Sequence, residues 1–169
     1  MSDEIQDMTI FPNQEPHCEA TVHTWFGVAA SCAQTYEQAL GIFLIVQHIQ
    51  DNPIDNKNPF DSIDKKTQGQ ILKDIRDFLI INPLLDEELQ KLVKARNYLF
   101  HDFFTENQER IKTESGRNDM VNELQDFIKR FNNMSEAIFK LVEPTIDVLG
   151  ISMPKIISKL KEMKNINRA

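Results

Sequence analysis

The chain has 169 residues, 41% hydrophobic and 27% charged, which is ordinary globular composition and long enough to bury a core as one domain. Gly is scarce (5) and Phe abundant (11), which argues against a turn-rich all-β fold, and two cysteines, Cys18 and Cys32, are too few for a disulfide scaffold and suit a reducing compartment. A net charge of −7 argues against indiscriminate coating of nucleic acid.

The opening segment, MSDEIQDMTIFPNQEP, is acidic and polar and is not a signal peptide. Residues 1–15 lack periodicity and are expected to form a flexible arm. From Pro16, a residue suited to a first helical turn, a long amphipathic helix is predicted to about Gln50. Val22, Trp25, Ala29, Cys32, Tyr36, Phe43 and Val46 keep its three- and four-residue spacing. Its apolar run Ala39–Val46 is far too short to cross a bilayer, so no membrane association is expected and the protein reads as cytoplasmic.

DNPIDNKNPFDS, Asp51–Ser62, is a turn-rich linker. A second helix is predicted over about 64–80, with Ile71, Ile75, Phe78 and Leu79 on one face, ending before Pro83. A third starts near Asp86, with acids in its first turn where the helix dipole favours them. A polar connection with a Ser-Gly turn spans 106–119. The fourth helix is expected over about 117–142, with Pro144 kinking or ending it. After Gly150 the residues fit a short amphipathic, basic helix, with five Lys/Arg against one acid over 154–169. No strand pattern and no internal repeat emerges. Long helices joined by short links predict an all-α fold, an antiparallel four-helix bundle over 16–150, with an additional short C-terminal helix, 151–169, packed on it.

The third helix carries KARNYLFHDFF, Lys94–Phe104, in a locally basic region: six Lys/Arg against four acids between Lys91 and Arg117. Arg96 and His101 are five residues apart, roughly 140° around a regular helix. Asn97 and His101 are four apart and share a face. Leu99, Phe100, Phe103 and Phe104 surround this polar trio with apolar surface.

RNYLFH resembles the signature of HEPN domains: an Arg, an adjacent polar residue that is often Asn, then a His, late in the third helix of a four-helix bundle. The resemblance implies a metal-independent endoribonuclease, toxin- or defence-like, acting as a homodimer whose motif helices form one composite cleft, with no cofactor. The residue types suit that chemistry. Cleavage without metal needs the 2′-hydroxyl to lose its proton and attack phosphorus. An imidazole, titrating ordinarily near pH ~6.5, can carry that proton. A guanidinium offers a permanently charged fork for the phosphate oxygens.

On this resemblance His101 is the acid/base, Arg96 the phosphate binder, Asn97 the support, and Lys94 and Tyr98 the RNA contacts. A cognate antitoxin or regulatory protein is a further expected partner. Where toxins paired with nucleotidyltransferase antitoxins commonly carry a modified Tyr, two residues after the His, this chain has Phe103.

Two readings compete. One is a catalytically inactive HEPN-like dimeric module that binds a protein or nucleotide partner. The other is an antitoxin- or immunity-type binding protein, whose acidic charge suits a basic partner. Asp102 reads as an exposed charge, and His48 as a cation at a helix C-terminus. His17, Cys18, His23 and Cys32 match no usual zinc spacing. Glu37, Glu88 and Glu136 lack the Glu-x-x-His pairs of a dimetal bundle. Nucleotide-binding glycine loops and the Gly-x-Ser-x-Gly elbow are absent from the sequence.

Overall fold

A computed structural model of the chain describes residues 17–51, 68–78 and 83–150, together with 152, 154, 157 and 158. The arm expected over 1–15, the linker after Asp51 and most of the expected C-terminal helix lie outside these residues. The described residues are helical, with no strand among them, so the fold is all-α.

The first helix, α1, runs Glu19–Asp51. Val22, Ala29, Ala33, Tyr36 and Leu40 are buried at three- and four-residue spacing, and from Ala39 to Val46 every residue is buried. A helix apolar all round belongs inside a core, which explains why the longest apolar run is internal rather than membrane-spanning. No helix among the described residues is long and apolar enough to cross a membrane. α2 (Gln68–Phe78) buries Ile71, Leu72 and Ile75.

α3 (Pro83–Asn97) begins earlier than the acids suggest, because Pro83 occupies its first position, where a missing N–H costs nothing. A wider turn, Tyr98–Asp102, follows without a break, then one further helical turn, α4 (Phe103–Glu106). After a 3₁₀ turn at Arg110–Lys112 comes α5, Glu114–Leu149. Ser115 and Gly116 therefore lie inside the first turn of α5 rather than in a loop. Thr113 caps that turn, its hydroxyl accepting the Gly116 N–H at 3.1 Å. α5 also passes through Pro144 and ends only at Gly150, whose left-handed backbone (φ 64°) closes the helix.

Contacts along α1 fix the chain directions. Arg117 Nε donates to the His17 carbonyl near the start of α1. The Tyr36 and Phe131 rings are 5.7 Å apart midway, and Gln50 Nε2 donates to Thr145 Oγ1 at 3.3 Å near its end. α1 and α5 are thus parallel neighbours. Against α5 the third helical stretch runs the other way: Glu88 lies 3.7 Å from Arg130, the Tyr98 ring 6.1 Å from Phe127, and Arg110 3.0 Å from Glu123.

This corrects the expectation of antiparallel neighbours throughout. Only short links force that arrangement. Residues 107–113 form such a link before α5.

Candidate functional site

The motif is held against α1. Three side chains of α1 reach it in turn: the His23 ring stacks on Phe104 at 4.8 Å, Phe26 packs on Phe103 and Phe104 at 5.8 and 4.8 Å, and Glu37 meets Arg96. His23 and Phe26 are one helical turn apart, and Glu37 lies eleven residues, close to three turns, further on. The α1 partners fall in number as the motif residues rise, so the two helices are antiparallel.

Arg96 is fixed from three sides. Its Nε donates to Glu37 Oε1 at 2.6 Å, its Nη1 donates to Asn97 Oδ1 at 3.3 Å, and its Cζ sits 4.8 Å from the Phe100 ring centroid. The Arg96 and Glu37 side chains are 26% and 20% exposed, so their attraction is screened less than that of a surface pair. The long Arg side chain has little freedom left, and its fork is aimed before any ligand arrives. Asn97, expected as a supporting residue of the site, accepts from Arg96 through its Oδ1.

The sharpest local feature is the backbone between them. Phe103 N–H donates to Tyr98 O, five residues back, where a regular helix would bond four back. This wider turn accommodates an additional residue. Arg96 and His101, five apart across it, therefore come nearer to a common side than on a regular helix. Asp102, at φ −122°, marks where the wider turn hands back to α4.

His101, Asp102, Lys94 and Asn97 are exposed. Tyr98 turns inward. Its ring meets Phe103 and Phe127 edge-on, and its hydroxyl accepts from Asn107 Nδ2 at 2.7 Å. Burial, reinforced by the nearby Glu123 carboxylate, pushes the Tyr98 phenol above its ordinary pKa, so it stays neutral.

Asn107 is 2% exposed and tied into a network. Its Nδ2 also donates to Phe103 O at 2.6 Å. Its Oδ1 accepts from Arg110 Nη1, which reaches Glu123 Oε2 at 3.0 Å.

Glu37, Asn107 and Arg110 escaped the sequence reading as parts of this site. Glu37 did leave a signal, as a carboxylate set between buried Tyr36 and buried Ala39 and Leu40 on a core helix. Asn107 left none, since it looks like any polar residue after a helix end.

The acids weighed for a dimetal centre are instead in ion pairs: Glu37 with Arg96, Glu88 with Lys91 and Arg130, Glu136 with Lys140. Among the described residues no group of three or more His, Cys, Asp or Glu side chains is placed to hold a metal ion. Comparison with protein-family models, curated proteins and solved structures found no match to this chain.

Proposed function

We propose that the chain is a HEPN-type helical bundle that works as a homodimer and cleaves RNA without a metal, using Arg96 and His101. The observation that supports this reading is a guanidinium held in place by Glu37, Asn97 and Phe100, with an exposed imidazole five residues on across the wide turn. An immobilised fork suits the charge that builds on a phosphorane, because its orientation is settled before reaction.

In this mechanism His101 takes the 2′-hydroxyl proton as the 2′-oxygen bonds to phosphorus. The bond from phosphorus to the 5′-oxygen breaks, and His101 of the partner subunit returns a proton to that oxygen. The products are a 2′,3′-cyclic phosphate and a 5′-hydroxyl. Arg96 bears the phosphate charge, and exposed Lys94 contacts the flanking backbone. Tyr98, with its hydroxyl engaged inside, supports the helix more than it meets RNA. A cognate antitoxin or regulatory protein would act by covering this cleft.

One observation favours a second reading. The Arg96–Glu37 ion pair at 2.6 Å already engages the guanidinium within the chain, which fits a catalytically silent dimeric module that binds a protein or nucleotide partner through other groups. The two separate in one assay: cleavage of mixed RNA in EDTA by wild type, Arg96→Ala and His101→Ala of unchanged fold and size. The ribonuclease reading expects activity in wild type and a loss of at least a hundredfold in each variant. An inert wild type across several RNAs selects the silent module.

A further inference from the structure

We propose that Tyr98 and Asn107 are positioning residues of the Arg96–His101 site, forming a latch that holds open the wide turn and so sets where His101 points. This rests on the ribonuclease reading and deepens it.

The wide turn is closed by the bond from Phe103 N–H to Tyr98 O. Asn107 grips both residues that this bond joins. Its one amide nitrogen donates to the Phe103 carbonyl at 2.6 Å and to the Tyr98 hydroxyl at 2.7 Å. A regular helix competes with this arrangement, because Phe103 N–H could instead bond to Leu99 O. That one-residue slip would rotate His101 relative to Arg96 by a large part of the ~100° that one helical residue subtends. Turns of the wider kind are rare, occur mostly as single turns within α-helices and are frequent at functional sites, so something must favour this one locally.

The latch is itself anchored. Asn107 is buried, and its carbonyl oxygen takes an Arg110 N–H, while Arg110 is held by Glu123 of α5. Gly116 lets α5 approach closely: a Cβ there would lie 2.1 Å from the Arg110 carbonyl oxygen. A buried carboxamide with both ends occupied has one orientation. The Tyr98 ring adds edge contacts to Phe103 and Phe127, which fix the hydroxyl where Asn107 can reach it. Position is worth much in a reaction of this kind, since a displacement of about 1 Å can cost a hundredfold in rate.

The deciding variant is Tyr98→Phe, which keeps the ring and removes only the hydroxyl. Asn107→Ala removes several buried hydrogen bonds at once and can cost the fold, so it serves as a second, stronger lesion. For Tyr98→Phe we expect kcat for RNA cleavage to fall about ten- to a hundredfold, with KM and the thermal midpoint near wild type and the His101 imidazole NMR signals displaced.

Unchanged kcat with unmoved His101 signals overturns the latch and leaves the ribonuclease reading standing. A fall in activity matched by unfolding reduces the pair to scaffold and overturns it too. A wild type that cleaves no RNA overturns the ribonuclease reading and the catalytic role of the latch with it. The His101 signals then still report, without any activity, whether the latch sets the turn.

Discussion

Tyr36 carries its phenol into the seam between α1 and α5, 5.7 Å from the Phe131 ring, and among the described residues its buried hydroxyl has no hydrogen-bond partner. An unpartnered buried hydroxyl costs about 1–3 kcal/mol. Tyr36→Phe is therefore expected to raise stability by about 1 kcal/mol in chemical denaturation. Burial first, and the Glu37 charge second, push this phenol far above its ordinary range. The folded state thus holds the proton more tightly than the unfolded chain, whose tyrosine ionises near pH ~10. Stability is intact below that pH and falls as pH rises above it. Tyr36→Phe lacks that loss, so its advantage over wild type should widen in alkaline melts, and a constant gap would show that the phenol is not shielded. At this scale Arg96, Asn97 and His101 could be named from their resemblance to a family motif. Glu37 and Asn107 could not, because their roles come from neighbours 59 and 9 residues away.

At the scale of elements, periodicity marked the long helices because burial follows a 3.6-residue repeat. Punctuation misled where tertiary contact overrides local preference. The Ser-Gly pair read as a turn, yet Gly116 serves close approach: the missing Cβ leaves room for the Arg110 backbone. Gly116→Ala places a methyl 2.1 Å from that carbonyl oxygen. We expect a loss of about 1–3 kcal/mol and a lower thermal midpoint, as for other overpacked sites. A variant as stable as wild type would mean that the first turn of α5 can shift freely. Pro144 read as a kink or a stop, and it does not stop the helix: it is exposed near the end of α5, which continues to Leu149. The wide turn was invisible in composition. YLFHD is an unremarkable helical string, and its turn is distinguished by contacts to Asn107.

For the whole molecule, the helical class followed from composition and pattern, while the direction of α5 relative to α1 did not, since it is set by contacts between residues about a hundred positions apart. The composite cleft of the proposed dimer would make activity a property of two chains. Light scattering is expected to give twice the chain mass, and cleavage per chain should drop as the protein is diluted below its dissociation constant. A monomer with undiminished activity on dilution would place the whole reaction in one chain.

The parallel seam of α1 and α5 also governs how the protein is made. Its bonds join residues 95 to 100 positions apart, so during synthesis the apolar length of α1 waits for residues far along the chain before its cover arrives. Long-range closure of this sort slows folding and prolongs exposure of sticky surface. Ribosome-bound chains ending before Glu114 would carry the complete Arg96–His101 motif yet lack the α5 surface that covers α1, which makes them natural clients of chaperones.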